Sequence, residues 1–236
     1  MPDGPWIMTQ TWHDLLFAHW SIASVELAAK IPAALTLDLY DGEAWVGIVP
    51  FHMTNVAPRG VPPLPLVSAF PELNLRTYVH VDGRPGVYFF SLDAGNRLAV
   101  AVARTLFHLP YFFARIRVED RGGVIHYTSE RSRKDHGAAN LAVTYEPSGS
   151  IFRPRQGSLE YFLTERYCLY TVDGGGRAMR LDIHHPPWPL QPATATFHVN
   201  TMADPAGIRL PGKAPLLHFV KRQDMVAWPL TAAQSL

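Results

Sequence analysis

Four polar side chains alternate along one predicted β-strand, residues 70–79. They are Glu72, Asn74, Arg76 and Tyr78. Alternate residues of a strand project from the same face, so a carboxylate, an amide, a guanidinium and a phenol would stand in one row. The flanking residues are apolar, and a packed core tolerates few polar groups without partners. The row therefore predicts one wall of an enclosed site for a small polar or anionic ligand.

Arg76 and Glu72 would have different tasks in such a site. A guanidinium forms strong charge-assisted hydrogen bonds with a carboxylate or a phosphate. Glu72 would act as a general acid or base if apolar walls raise its pKa. In the alternative arrangement, Glu72 and Arg76 pair with each other, and Asn74 and Tyr78 are left to contact the ligand. The sequence leaves both arrangements open.

A second group of candidates surrounds the end of a predicted helix. Arg104 and His108 are four residues apart and share a helix face, and Tyr111 follows shortly after. We interpret Tyr111 as a second catalytic candidate, a proton donor or hydrogen-bond partner in the cavity, and Arg104 and His108 as ligand-binding candidates. Alternatively, His108 only ends the helix, where positive charge is favourable, and Tyr111 only packs.

A third candidate lies in the predicted strand over 166–172. Arg166 is a possible second anion contact. Cys168, which shares its face in that strand, is the single cysteine of the chain. No cluster of basic residues flanks it to depress its pKa, so we expect a buried structural thiol and no nucleophile.

The eleven histidines raise the question of a metal. His184 and His185 are adjacent and would point to opposite faces of a strand, and no HExxH or CxxC spacing occurs. We therefore predict no metal and no cofactor, although a metal-dependent hydrolase built from scattered histidines stays open as a lesser alternative. The segment 184–188, HHPPW, is expected to form a rigid cap over the cavity mouth.

Composition narrows the class of protein. With a net charge of +1 over 236 residues, the chain gives no electrostatic indication of nucleic-acid binding. No apolar run reaches the ~20 residues of a membrane span, and the first residues lack the basic start of a signal peptide. A single cysteine fits a reducing compartment. We expect a cytoplasmic protein.

The periodicity predicts a mainly β (α+β) chain that forms one domain over residues 1–236. Strands are expected at 36–40, 44–51, 74–81, 87–94, 111–120, 124–132, 140–147, 166–172, 177–185 and 215–230, and helices at 24–30, 97–109 and 158–165. Ser24 and Asn96 are expected to cap the first two helices, and 56–71 to be a loop. Short turns between many strands favour a curled antiparallel sheet or barrel.

Several segments resemble a bacterial family called domain of unknown function 2071. They are LLFAHW, LDLYDGEAWVGIVPF, ELNLRTYV, GVYFFSLDA, LPYFFARI, SLEYFLTERYCLY and IHHPPWPL, in order between about residues 12 and 192. That family is grouped with the acetoacetate decarboxylase-like superfamily. The resemblance implies a curled antiparallel acetoacetate decarboxylase-like barrel with a few short helices around an enclosed cavity, and it makes Glu72 the counterpart of a cavity glutamate.

The same resemblance implies that Schiff-base chemistry is missing. Acetoacetate decarboxylases use a lysine made reactive by a second, adjacent lysine, after a helix and a proline. Here that position reads His108-Leu109-Pro110-Tyr111-Phe112, with two aromatic residues where the lysines would stand.

We therefore predict a protein that binds a small organic acid in an enclosed polar cavity. If it is an enzyme, its reaction is of a lysine-independent lyase or isomerase type. The alternative is a non-catalytic ligand-binding or sensor module. The aromatic N-terminal segment (Trp6, Trp12, Phe17 and Trp20) would suit the interface of a homo-oligomer.

Overall fold

A computed structural model describes residues 2–65, 67–132 and 137–233, with the side chain of Leu106 left out. Its strands are β1 (Met8–Ile22), β2 (Thr36–Leu37), β3 (Ala44–Pro58), β4 (Phe70–Val81), β5 (Arg84–Ala94), β6 (Tyr111–Arg121), β7 (Val124–Arg131), β8 (Ala139–Pro147), β9 (Cys168–Val172), β10 (Ala178–His184), β11 (Gln191–Asn200) and β12 (Leu216–Ala232). Its helices are α1 (Ser24–Ala28), α2 (Arg97–Phe107) and α3 (Leu159–Thr164), and a short 3-10 turn spans Asp204–Ala206.

These strands form one curled sheet in the order β10-β9-β5-β6-β7-β8-β11-β12-β1-β3-β4-β2. Two further pairings, β10 with β12 and β5 with β4, join strands that are distant in this order. They curl the sheet around an interior space. The pairs are antiparallel except β5–β6 and β5–β9, which are parallel. The predicted mainly β fold is confirmed, and the parallel pairs are an addition to it.

Strands β1, β3 and β4 are buried on both faces. One face carries Leu16, Ile48 and Leu73 into a core that also holds Tyr127 and Tyr145 of β7 and β8. The alternate residues of the three strands point the other way. Their side chains include Phe17, Phe51 and Glu72, and they face the interior space between β4 and β12.

An irregularity in β1 changes which residues face inward. Asp14 adopts a φ of 50°, and the pairing of β1 with β3 shifts between His13 and Ala18. Such a bulge inserts one extra residue and reverses the alternation beyond it. Before the bulge, the even-numbered Met8, Gln10 and Trp12 face the interior space, and after it the odd-numbered residues do so.

Two predicted elements differ from the structure near the N-terminus. The long strand β1 lies where the sequence indicated aromatic residues followed by a helix, and only the short α1 follows it. Residues 36–40 do not pair with β3 as a full hairpin. Instead β2 pairs with β4, and a single bridge from Tyr40 to Glu43 closes the Asp41–Gly42 turn.

The sequence also missed β11, and the expected loop over 56–71 is shorter, because β3 runs to Pro58 and β4 begins at Phe70. Asn96 caps α2 as predicted, since its side-chain oxygen accepts hydrogen bonds from the Leu98 and Ala99 amides. Ser24 does not cap α1. Its N-cap is Ala23, which makes no side-chain bond.

The buried side of α2 does not follow the most regular apolar spacing in its sequence. Leu98, Val102 and Leu106 recur at helical spacing, but Leu98 and Val102 are 59% and 46% exposed, and the side chain of Leu106 lies outside the described part of the structure. Val100 is the buried residue instead, with 6% exposure. Helical spacing shows which residues share a face, but not which face meets the protein.

Gly86 lies where a side chain has no room. A Cβ atom there would lie 2.7 Å from Tyr170 Cε2, 2.8 Å from Cys168 Sγ and 2.9 Å from the Cys168 carbonyl oxygen. Overpacking of this kind costs about 1–3 kcal/mol. We therefore expect Gly86→Ala to lower the free energy of unfolding in urea by that amount.

The matched control is Gly174→Ala, whose added Cβ would meet nothing within 4 Å. If both variants unfold at the same urea concentration, the close packing of β5 against β9 at Gly86 is contradicted.

Candidate functional site

The interior space is a cavity of about 180 Å³ between β1, β3, β4, β5 and β12, bordered by α2. Its lining is largely apolar, with contributions such as Phe17, Phe51, Phe89, Leu92 and Trp188. The polar lining residues are Gln10, Glu72, Asn74, Arg76, Tyr111, Thr164, Arg166 and His185. A few polar groups in a largely apolar enclosure are typical of small-molecule sites.

Three of the four alternating polar residues of β4 line this cavity. Glu72, Asn74 and Arg76 all face it, as their spacing predicted. Opposite positions on β3 and β5 hold β4 in register along this stretch, for example Phe51 and Ala94 beside Glu72. These three side chains therefore stand on one face of β4 along the cavity.

Glu72 is buried, with 3% exposure, and its Oε2 accepts a hydrogen bond of 3.0 Å from the Tyr111 hydroxyl. Burial raises the pKa of Glu72 to about 8, because a charged carboxylate loses its solvation in the cavity wall. The hydrogen bonds from Tyr111 and Asn74 lower this pKa, and the nearby Asp93 carboxylate raises it slightly. Glu72 is thus mainly protonated at pH 7 and can both give and take a proton near that pH.

Tyr111 begins β6 and contacts the cavity with its ring. Burial and the neighbouring Glu72 carboxyl raise its pKa well above the usual value. The phenol therefore remains a neutral hydrogen-bond donor. The backbone behind the pair is fixed by Tyr127, whose hydroxyl donates to the Glu72 carbonyl oxygen at 2.8 Å.

Arg76 carries a charge that no described residue neutralises. Its Nη2 donates to the Leu163 carbonyl oxygen at 3.1 Å and to the Tyr78 hydroxyl at 3.4 Å, and its guanidinium lies 5.0 Å from the centre of the Phe17 ring. Its Nε is buried without a hydrogen-bond partner. No ion pair involves Arg76 within the described ranges, so a Glu72–Arg76 pair is not formed.

Tyr78 does not contact the cavity, and its predicted place among the ligand-binding residues is corrected. It is fully buried, and its hydroxyl donates to the Leu163 carbonyl oxygen at 2.8 Å and lies 2.6 Å from His19 Nε2. The pKa of His19 is well below its usual value because of burial and the Arg76 charge, so the ring is neutral. Tyr78 and His19 lie outside the cavity lining and help to hold the Arg76 side chain in place.

Arg166 lines the cavity but already has a counter-charge. Its Nη1 lies 2.6 Å from Asp38 Oδ2, and its Nε donates to the Phe162 carbonyl oxygen at 2.6 Å. The guanidinium also stacks on the Phe162 and Tyr78 rings. Arg166, which was predicted as a second anion contact, therefore already has Asp38 as its counter-ion, and Asp38 is distant in sequence.

Arg104 and His108 lie outside the cavity, contrary to the sequence hypothesis. Both are exposed on α2 and its end. Arg104 Nε donates to the Tyr111 carbonyl oxygen, and His108 ends the helix with a φ of 51° while its carbonyl accepts from the Thr171 hydroxyl. The alternative reading of His108 as a helix-ending residue fits this geometry.

No lysine lines the cavity within the described part of the chain. Lys30, Lys213 and Lys221 are exposed, and Lys221 pairs with Asp14 at 2.6 Å, while Lys134 lies outside the described residues.

Cys168 is buried as expected, and burial raises the pKa of its thiol.

Among the residues that the structure describes, no group of three or more histidine, cysteine, aspartate or glutamate side chains is placed to hold a metal ion. His185 and Trp188 of the segment 184–188 line the cavity. Glu165 holds this segment, because its Oε1 accepts from the Trp188 amide at 2.9 Å.

No described helix is long and apolar enough to cross a membrane.

The sequence missed two polar lining residues, Gln10 and Thr164. Thr164 is the last residue of α3, and no sequence motif marks it as a cavity residue. Gln10 lies in a stretch where Met8, Gln10 and Trp12 alternate with Thr9 and Thr11. That period of two is typical of a strand, and it could have identified β1.

Solved structures with a similar fold include a biosynthetic enzyme and an acetoacetate decarboxylase. The enduracididine biosynthesis enzyme MppR complexed with pyruvate is 11% identical, with a TM-score of 0.65 over 99% of this chain and 92% of that one. Acetoacetate decarboxylase from Legionella pneumophila is 13% identical, with a TM-score of 0.64 and the same coverage. At these identities the likeness shows the fold alone, a curled sheet resembling the acetoacetate decarboxylase-like barrel.

One sequence relative shares a much higher identity. The uncharacterized protein YqjF of Bacillus subtilis (strain 168) is 51% identical over 230 residues, which cover 98% of this chain and 94% of that protein. The model of the DUF2071 family, described as an uncharacterized conserved protein, matches residues 9–224. The match covers nearly the whole chain, including every cavity residue of β4. The chain therefore belongs to the DUF2071 family.

Proposed function

We propose that this protein binds a small monocarboxylic acid in the cavity and transfers a proton with Glu72 and Tyr111, in a lyase or isomerase reaction that needs no Schiff base. The observation that carries the proposal is the guanidinium of Arg76, which lines a largely apolar cavity, forms no ion pair with any described residue and keeps its Nε without a hydrogen-bond partner. A partly buried charge without a counter-ion is costly, so the site gains most from a ligand that brings one negative charge.

The state of Glu72 supports an enzyme over a binder without turnover. A pure binder could hold Glu72 and Arg76 as a satisfied pair. Here Glu72 contacts Tyr111 instead, and its pKa of about 8 lies near the pH at which a general acid or base is most effective.

Non-covalent chemistry follows from the residues that face the cavity. Without a lining lysine in the described residues, no amine is available there to form an imine with a keto group. Glu72 can remove a proton from a carbon atom of the ligand once it is ionised. Tyr111 and Arg76 would stabilise the charge that develops on ligand oxygen atoms.

The experiment that tests this function has two stages. Thermal unfolding is measured with straight, branched, aromatic, keto and hydroxy monocarboxylates, because a ligand that binds only the native state raises Tm by mass action. Acids that raise Tm are then incubated with the protein in D2O, and exchange of their C–H protons is followed by NMR.

We expect at least one acid to raise Tm and to exchange a C–H proton, with exchange lost in Glu72→Gln. Binding without exchange in the wild-type protein would favour the sensor alternative. If no monocarboxylate raises Tm, the proposed function is wrong.

A further inference from the structure

We infer that the ligand of this cavity is a hydroxy acid with an apolar chain, whose hydroxyl group donates a hydrogen bond to Asn74 Oδ1 while its carboxylate binds Arg76. This inference rests on the proposed function, since it specifies which monocarboxylic acid the same site takes. It adds Asn74 as a second polar contact beside Arg76, and it requires that the ligand carry a hydrocarbon chain.

Unpartnered polar atoms on the residues that line the cavity indicate which hydrogen bonds a ligand would supply. Within the described residues, three buried polar atoms on lining residues have no partner. They are Arg76 Nε, Trp188 Nε1 and Asn74 Oδ1. The first two are N–H donors that suit carboxylate oxygens, and the third is an acceptor that needs a donor.

Asn74 is the residue that a plain carboxylate cannot satisfy. It is 6% exposed and stands between Glu72 and Arg76 in the row. An ionised carboxylate only accepts hydrogen bonds, so it leaves Asn74 Oδ1 unpaired. A ligand hydroxyl donates to that oxygen and can accept from the protonated Glu72 carboxyl at the same time.

Spacing along β4 separates the two recognition points. Asn74 and Arg76 are two residues apart, which is about 6.7 Å along a strand. A hydroxyl a few bonds away from the carboxylate can therefore meet one residue while the carboxylate meets the other. This favours a hydroxyl at the third carbon atom over one next to the carboxylate.

Apolar walls determine the rest of the ligand. Beyond the polar row, the cavity is enclosed by side chains such as Phe51, Phe89 and Leu92. A volume of about 180 Å³ is close to the roughly 150 Å³ of an apolar protein cavity that holds benzene. A hydrocarbon chain of a few carbon atoms fits this space, and a second charged group would find no partner.

The test compares three matched probes by isothermal titration calorimetry. They are hexanoate, 3-hydroxyhexanoate and 3-methoxyhexanoate, of which only the second can donate a hydrogen bond from its third carbon atom. We expect 3-hydroxyhexanoate to bind wild-type protein about tenfold more tightly than either analogue, the effect of one buried hydrogen bond. Asn74→Leu, which removes the acceptor but keeps the volume, should abolish the preference.

Equal binding of all three acids by the wild-type protein, or a preference that survives in Asn74→Leu, would overturn the inference. The comparison of the three acids on wild-type protein decides the point even if Asn74→Leu does not fold. Binding of short polar acids that depends on Arg76, without binding of the hexanoates, would also overturn it while leaving the proposed function intact. Failure of every acid would remove both.

Discussion

Arg76→Gln should weaken binding of the tightest monocarboxylate by about 100-fold. The substitution removes the charge and keeps most of the length of the side chain, and hydrogen bonds to a charged group contribute about 1.5–3 kcal/mol. The expected loss is large because no other cavity cation is free in the described chain. Titration calorimetry on the folded variant measures it, and Arg76→Lys should recover part of the affinity because it restores the charge without the planar guanidinium.

Arg166→Gln provides a matched comparison, since Arg166 also lines the cavity but is neutralised by Asp38. We expect this variant to lose stability, because it leaves Asp38 without its partner, and to keep the acid affinity within a few-fold. If the two variants lose affinity equally, the distinction between a free and a paired arginine is wrong.

Glu72 should make the protein less stable as the pH rises. Its pKa is raised from 4.5 to about 8 in the folded state, so between these values the native state binds more protons than the unfolded chain. The contribution of Glu72 to the free energy of unfolding is therefore fully present below pH 4.5 and is lost as the pH rises through 8. The difference between the two pKa values corresponds to roughly 5 kcal/mol.

Glu72→Gln should remove this part of the pH dependence, because the amide has no proton to lose. Urea unfolding at pH 5, 7 and 9 measures it, and at pH 9 the variant should be the more stable protein. Asp93, whose pKa is raised to about 7 by burial, leaves a smaller slope of the same sign. Glu146→Gln, at an exposed position, is the control. Parallel pH profiles of the wild-type protein and Glu72→Gln would contradict a buried, neutral Glu72.

The strand β4 could be predicted from the sequence, while the part of β1 from Leu15 to Trp20 could not, for a physical reason. In β4 polar and apolar residues alternate, because one face meets the cavity and the other meets the core. In β1 the residues from Leu15 to Trp20 are buried on both faces. A continuous apolar run of this kind has no period of two, so it cannot be told from a buried helix.

The candidate site was predictable where one element determines it. Alternation along β4 placed Glu72, Asn74 and Arg76 together. The errors concern relations between distant elements, as in the ion pair of Arg166 with Asp38, 128 residues away in sequence. Spacing on α2 likewise could not show that Arg104 faces solvent, because helix orientation depends on packing.

The bulge at Asp14 makes the first strand sensitive to its length as well as to side-chain identity. A substitution before the bulge changes one side chain of the cavity wall or of the outer surface. Loss of a single residue at Asp14 would instead exchange the inner and outer sets of the whole preceding segment, turning Gln10 and Trp12 outward and Thr9 and Thr11 inward. The cavity wall thus depends on a residue count in β1 as much as on the residues themselves.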